Sequence, residues 1–349
     1  MSSIRSYFRR LAEGYEDGVG AKFLRPVLGL ASNFYGATVG TRRSFYETGV
    51  LKSEKLPYPV ISVGNLTWGG TGKTPLVEYV ARRIAERQKT AMILTRGYGK
   101  DEDEQYRQHL PKAIIAVGKN RIEAAKAATQ KQKIDAAVLD DGLQHLKIKR
   151  DFEIVNINGL NPFGNENLIP RGILRESPAV LKKAHAIVIM HSDLIAIKEL
   201  EALKEKLRKI APEAILVEAY LEPLFFYRAK KRARFPINKL QNQKVTTFSG
   251  VGSPHSFRVL LTKMKVKPIR NFEFSDHHPF TEHELKEIKE VSDSAYAQEI
   301  ITTEKDFYRN TELISEVLNP LVLATRLRIH SGEEEFNRRL MKTLEEARS

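Results

Sequence analysis

The chain has 349 residues, 42% of them hydrophobic, and a formal net charge of +14. That length is enough for two domains with a substantial buried core, and the composition is that of a globular protein. The chain has no cysteine, which excludes a disulfide scaffold, a thiolate metal site and a cysteine nucleophile. The positive charge calls for an anionic partner: a phosphorylated substrate, a membrane surface or nucleic acid. Basic residues are scattered over helix faces rather than gathered among stacking aromatics, so nucleic acid is not expected.

The first 50 residues read as a helical segment of their own. Residues 23–36 are apolar and aromatic but interrupted by polar groups, with Arg5, Arg9 and Arg10 before them and Arg42 and Arg43 after. No apolar run reaches the ~20 residues of a bilayer span, and no small-residue cleavage site closes a signal-peptide core. Two readings stay open from periodicity: a helix lying in a membrane interface, or a first helix packed on the domain surface.

Next comes an apolar strand at 60–63 that runs into Gly69-Gly70-Thr71-Gly72-Lys73-Thr74, after which Pro75 opens a helix over 75–87. Glycines in such a turn let backbone N–H groups close around an anion. Lys73 can reach the outer phosphates and the Thr74 hydroxyl can ligate Mg²⁺. The strict pattern has glycine where this chain has Thr67, so the match is to a variant phosphate-binding loop. It points to a nucleoside triphosphate and Mg²⁺.

Further strands are expected at 91–94, 113–117, 136–139, 152–157 and 186–190, and helices at 121–130, around 180–183 and at 195–210. This alternation is that of βαβ units on a parallel sheet. The strand at 136–139 ends in Asp140-Asp141, a carboxylate pair placed where a nucleotide-binding sheet holds Mg²⁺. Adjacent strand residues point to opposite faces, so only one of the two can act directly.

The pattern breaks into a basic, proline-containing stretch, expected to link a core over 51–230 to a smaller α/β domain over 243–349, with the linker at 231–242. In the second domain strands are expected at 245–248, 269–274, 300–303 and 321–324, and helices at 255–264 and 282–291. Asp276-His277-His278 follows one of these strands. Consecutive histidines rarely converge on one metal, so a base or a base partner is the better functional reading, beside the plain one of a helix-capping loop. The expected fold class is therefore α/β: a P-loop-containing parallel sheet domain, a second, smaller α/β domain and, on the first of the two N-terminal readings, an N-terminal interfacial helix.

Taken together, the motifs resemble the tetraacyldisaccharide 4′-kinases of lipid A biosynthesis over most of the chain. They are the stretch from Val63 to Pro75, Thr95-Arg96-Gly97-Tyr98-Gly99, Leu139-Asp140-Asp141-Gly142-Leu143-Gln144-His145, Phe163-Gly164-Asn165 and the run from Pro170 to Glu176. They continue with the run from Phe248 to Pro254, Asp276-His277-His278-Pro279-Phe280 and Thr302-Thr303-Glu304-Lys305-Asp306. Trp68 stands where the partition ATPases carry lysine. The resemblance implies transfer of the ATP γ-phosphate to a sugar hydroxyl of a lipid-linked disaccharide, at the cytoplasmic face of the inner membrane of a Gram-negative host. The partners implied are the lipid A disaccharide precursor and an anionic membrane surface.

By the same resemblance Gly69, Gly70, Thr71, Gly72, Lys73, Thr74 and Pro75 bind the nucleotide, and Thr74, Asp140, Asp141 and Glu102 surround the metal. Arg121, Gln144, Arg175 and Glu176 line the substrate side. The chain departs from the family in one place: a loop of some twenty residues before the catalytic aspartate is missing, and Arg96-Gly97-Tyr98-Gly99-Lys100 runs straight into Asp101-Glu102-Asp103-Glu104. Counting back from Arg121 without gaps makes Asp101 the base, supported by His277, with Glu102 its neighbour. Asp103-Glu104 fits with a short deletion, and a solvated acidic turn with the base lost is the plain reading. The competing functional class is a nucleotide-dependent regulatory or assembly ATPase.

Overall fold

The computed structural model describes residues 2–346 apart from Asp17, Tyr98 and Ser253. Tyr98 and Ser253, each inside a motif named above, lie outside the described residues. Two helices, α1 (Ser2–Glu13) and α2 (Val19–Glu47), precede β1 (Val60–Asn65). There follow α3 (Lys73–Glu86), β2 (Ala91–Thr95), α4 (Lys100–His109), β3 (Ile114–Val117), α5 (Arg121–Lys131), β4 (Ala136–Asp140), β5 (Phe152–Asn158) and β6 (Ala186–Met190). Then come α6 (Ile197–Ile210), β7 (Ile215–Arg228), the short β8 (Arg234–Phe235), β9 (Lys244–Ser249), α7 (Pro254–Lys263) and β10 (Lys267–Glu273). The chain closes with α8 (Glu282–Ser294), β11 (Glu299–Thr303), α9 (Glu304–Arg309), α10 (Thr311–Val317), β12 (Leu321–Ser331) and α11 (Glu333–Glu346).

The strands form one sheet in the order β10-β9-β11-β12-β7-β6-β5-β1-β4-β2-β3, with β8 set against β7. Every pairing is parallel except those of β7 with β12 and with β8. The central strands β1, β4 and β6 are buried along their whole length, as apolar runs in a parallel sheet covered on both faces must be. Ile61 and Val63 pack with Leu76 and Val80 of α3, while Val60 faces a separate cluster with Leu94 and Ala125.

The expected elements of both halves are present, and the sheet is continuous through them because of β7, which the sequence reading did not include. Its first residues pair in parallel with β6, from Ala186↔Ile215 to Met190↔Ala219. From Glu218 to its end it pairs antiparallel with β12, from Leu321↔Arg228 to Ser331↔Glu218. Pro223 hid it: a proline inside a strand argues against the strand, unless it sits at an irregularity. Here it lies beside the register shift between Ala324 and Thr325. The stretch 231–242, expected as a linker, carries β8 and a 3-10 turn at Ile237–Leu240 whose Leu240 is buried among Val245 and Phe257. The helix expected around 180–183 is a 3-10 turn, Pro178–Lys183.

The acidic run at 101–104, open to a solvated-turn reading, is the first turn of α4, where carboxylates are favoured by the helix N-terminus. The last helix, α11, packs back on the first strands: Phe336, Leu340 and Leu344 recur at helical spacing and join Ile61, Leu76 and Phe152 in one core. The Phe336 and Phe152 rings meet edge to face at 6.1 Å.

Helix α2 runs along the outside. Its inner face is tied down by Ser32 Oγ, which donates to Leu168 O at 2.8 Å, and by Tyr35, whose hydroxyl donates to Arg175 O at 2.9 Å. Its outer face presents Val19, Phe23, Val27, Leu30 and Phe34, spaced by three or four residues and 62–78% exposed. Among the described residues no helix is long and apolar enough to cross a membrane.

Leu340→Ala is expected to lower stability by about 2–5 kcal/mol through the cavity it leaves. Lys342→Ala, on the exposed side of the same helix, is expected to change it by no more than about 0.5 kcal/mol. Denaturant midpoints of the two variants measure the difference.

Candidate active site

Strand β1 delivers the phosphate loop to the top of the sheet. Gly72 takes a left-handed backbone, φ +83°, immediately before α3, and a side chain there would also press on Met190. Gly70 is needed for a different reason: a Cβ on it would stand 2.7 Å from the Cα of Gly252, across the cleft. The loop's crown is held from below by Asn156 of β5, whose Nδ2 donates to Thr71 O at 2.7 Å. Asn65 supports its base, donating to Thr67 O at 2.6 Å and accepting from Lys73 Nζ at 3.1 Å. The two asparagines are register neighbours in β1 and β5. Neither was singled out from sequence, although a polar residue at the end of each of two buried strands was the available signal.

Strand β4 ends in the aspartate pair, and the two carboxylates have opposite surroundings. Asp141 is gripped by Arg175, with Nη1 to Oδ1 at 2.8 Å and Nη2 to Oδ2 at 3.0 Å, and lies 3.7 Å from Lys73 Nζ. Burial alone would raise its pKa, but Lys73 and Arg175 hold it well below the usual carboxylate range. Asp140 is pushed up to about 7, first by burial and then by the charge of Glu102, with Lys73 opposing. Tyr106 donates to its Oδ2 at 3.2 Å. Glu102 accepts from the Thr74 hydroxyl at 3.4 Å and faces Lys305 at 3.4 Å.

Asp140 and Glu102 thus crowd like charges beside the Thr74 hydroxyl, a donor set of hard oxygens that suits a divalent cation. Among the described residues no three histidine or carboxylate groups converge as a closed metal cage. An ion here would keep most of its coordination for phosphate oxygens and water, which is the habit of Mg²⁺.

Across the cleft stands the second half. Asp101, 2% exposed, accepts from Arg309 Nε at 3.0 Å and meets His277 Nδ1 at 3.3 Å. Burial works to raise its pKa, and is overcome by the His277 hydrogen bond and the charges of Lys305 and Arg309, which hold it well below the usual range. His277, with a left-handed backbone at φ +59°, lines the cleft. Lys305 is partly buried, which works to lower its pKa, yet Glu102, Asp276 and Asp101 keep it raised. Of the two places for a base, the fold brings Asp101 to His277. Asp103 is set against Thr95, Gly97 and Arg107. His278 bonds to Glu284 of α8 at 3.0 Å and stacks on Phe274, so it belongs to the helix cap.

These groups surround a cleft of about 660 Å³ lined by Gly69 to Pro75, Glu102, Arg121, Asp140, Asp141, Arg175 and His277. Two expected substrate residues are engaged elsewhere. Glu176 is buried under α2 and accepts from Arg43 Nε at 2.6 Å, and Gln144 donates to Asn65 O at 3.2 Å. Arg121 Nη1 reaches Asp141 O at 3.4 Å.

One buried ionic knot was not foreseen. His109 of α4 contacts Glu78 of α3 at 2.9 Å and Glu304 of α9 at 3.2 Å. Burial would lower its pKa, but the two carboxylates raise it to about 10. The imidazolium therefore ties the helix of the phosphate loop, the helix of Asp101 and the helix of Lys305. His109→Leu leaves two buried carboxylates without their cation and is expected to cost about 3–5 kcal/mol. Because the folded pKa lies above that of the unfolded chain, the contribution of His109 is complete below about pH 6.5 and fades as pH rises toward 10. Thermal melts of the two proteins should accordingly converge between pH 6.5 and 10.

The family described as tetraacyldisaccharide-1-P 4′-kinase matches residues 24–345. A tetraacyldisaccharide 4′-kinase of Anaeromyxobacter sp. (strain K) is 34% identical over 313 residues, covering 83% of this chain and 82% of that protein. The namesake from Halothermothrix orenii is 31% identical over 336 residues, covering 87% of each. The crystal structure of LpxK from Aquifex aeolicus in complex with ATP superposes with a TM-score of 0.68 at 25% identity, over 92% of this chain and 99% of that one. With a phosphate loop, a carboxylate strand end and a cross-cleft Asp–His pair arranged as described, the chain belongs to the tetraacyldisaccharide-1-P 4′-kinase family.

Proposed function

We propose that this kinase transfers the γ-phosphate of ATP to the 4′-hydroxyl of a tetraacyldisaccharide 1-phosphate, with Mg²⁺. The observation that carries the reading is the Asp101–His277 pair facing the Lys73–Thr74 end of the phosphate loop across one cleft. Phosphoryl transfer asks the protein chiefly to position the two oxygens in line, neutralise charge and take a proton from the hydroxyl. The loop from Gly69 to Thr74 cradles the phosphates, and Lys73 is free to swing from Asn65 and Asp141 to their oxygens.

Thr74, Glu102 and Asp140 would hold the cation, which when bound supplies charge neutralisation on the β- and γ-phosphates. Asp141, already neutralised by Arg175 and Lys73, holds those cations in place rather than the metal. The pair takes the hydroxyl proton with the imidazole on the cleft side and Asp101 behind it fixing Nδ1, and Arg309 fixes Asp101 in turn. This order differs from the one expected from sequence, where His277 stood behind the aspartate. Arg121 and Arg175 face the acceptor.

The division of the chain follows the same reading: residues 1–50 serve the membrane interface, 51–230 form the nucleotide core, 231–242 link, and 243–349 bring His277. The stripe from Val19 to Phe34, flanked by Lys22, Arg25 and Arg42, suits a helix lying on an anionic membrane surface, where the acceptor's acyl chains reside. On this reading the protein works peripherally on the cytoplasmic side of the inner membrane.

Labelled γ-phosphate should move to the lipid acceptor in detergent micelles with wild-type protein. Transfer should fall by about 10²–10⁴ in Asp101→Asn and His277→Asn, and by at least as much in Lys73→Ala. Release of phosphate without lipid product would favour an assembly ATPase instead. Separately, Phe23→Glu with Phe34→Glu should abolish sedimentation with anionic vesicles while nucleotide binding persists; unchanged sedimentation would refute the interfacial role of α2.

A further inference from the structure

The chain contains a single tryptophan, Trp68, at the shoulder of the phosphate loop. Its neighbours Asn65, Leu66 and Thr67 are almost wholly buried, yet Trp68 itself is 63% exposed and lines the mouth of the cleft. Two successive buried residues precede it, so strand alternation does not account for the exposure. A mobile loop does not account for it either, because the backbone there is pinned. Trp68 N donates to Ile173 O at 2.7 Å, Thr67 bridges Leu174, and Arg175 N donates to Leu66 O at 2.7 Å. Beyond it, Gly69 turns the chain at φ +104° with open space where a side chain would stand. The fold holds a rigid backbone and presents from it a large apolar ring to an empty volume.

The position of that ring selects among the possible occupants. The nucleotide phosphates belong to Gly69–Thr74, and the cleft lining also includes the apolar side chains Leu194, Leu221, Phe257, Leu260 and Leu323, which suit a base. Trp68 is tied to a different part of the chain. It is anchored to the 173–175 segment, whose Arg175 clamps Asp141 and is held by Tyr35 of α2. That is the side from which an acceptor lying at the surface under α2 enters. A hexose ring is hydroxylated at its rim but presents a face of C–H groups, and an aromatic plane is the side chain that buries such a face without competing for its hydroxyls.

We propose that Trp68 is a stacking platform for a sugar ring of the acceptor, so that it determines acceptor affinity rather than nucleotide affinity. This rests on the acceptor being a disaccharide, as the kinase reading states. Stacking pre-orients the ring before the hydroxyl meets His277, and the pinned backbone means that no loop has to be ordered on binding.

Being the only tryptophan, Trp68 reports on its own environment. Its emission in the full-length protein should change on titration with the deacylated, water-soluble disaccharide 1-phosphate. It should stay unchanged with ATP alone and with anionic vesicles lacking acceptor. A response to vesicles alone would make Trp68 a membrane anchor, a response to ATP alone would make it part of the nucleotide site, and no response to the disaccharide at millimolar concentration would remove the platform; each overturns the proposal.

In transfer assays Trp68→Ala should raise the acceptor KM about 10-fold with the ATP KM unchanged, and Trp68→Phe should recover most of the loss. Equal increases in both KM values would mean a merely structural role and overturn the proposal. Absence of transfer by wild type would refute the kinase reading, whereas the fluorescence titration tests the platform independently of turnover.

Discussion

The bidentate ion pair between Arg175 and Asp141 is the contact on which the site is built. It joins three parts of the chain: the strand end that carries the carboxylates, the segment that follows the 165–172 loop, and helix α2, whose Tyr35 holds the Arg175 carbonyl. Two parallel hydrogen bonds between a planar guanidinium and a carboxylate fix orientation as well as distance. Asn65 is drawn into the same cluster, accepting from both Arg175 and Lys73. The lysine is thereby parked beside the phosphate site with its charge partly compensated, a short swing from its working position.

Around that clamp the protein separates carboxylates by their surroundings. Asp141 and Asp101 are each surrounded by cations and stay ionised, while Asp140, buried and crowded by Glu102, has its pKa pushed up to about 7. Unequal environments of this kind assign roles to chemically identical groups. The ionised pair anchors cations and orients an imidazole. The crowded pair is an arrangement that a divalent ion relaxes. An overall charge of +14 gives this cleft a favourable field for phosphates, and the charge is realised locally through Lys73, Arg121, Arg175 and Lys305.

The two halves are held in register by elements from distant parts of the chain. Strand β7 lies in parallel with β6 and antiparallel with β12, and α11 returns from the C-terminus to the core of the first strands. Above the sheet, the His109 knot and the Arg309–Asp101 pair connect α4 to α9. The Asp101–His277 contact therefore assembles only when the sheet is complete. Asp101 sits on α4 and His277 on the turn between β10 and α8, and each is held by a residue more than 100 positions away.

Much of this was legible in the residues. The glycines, Lys73 and Thr74 declare a phosphate loop, because backbone geometry at an anion site tolerates few substitutes. Apolar runs buried on both faces declare a parallel sheet, because no other arrangement covers them. Strand β7 was not legible, since Pro223 forbids a regular ladder and only the bulge opposite it permits pairing. Asp101 was favoured over Asp103 by counting back from Arg121, but nothing local shows their partners, which differ because α4 turns only Asp101 toward His277 and Arg309. The exposure of Trp68 and the burial of Glu176 belong to the same class. The sequence by itself determined which chemical groups are present and which local elements carry them, because those follow from short-range geometry. Which of the groups face each other was decided by the tertiary structure alone, because contacts between residues 101 and 277 or 78 and 304 exist only once the long strands have brought the two halves together.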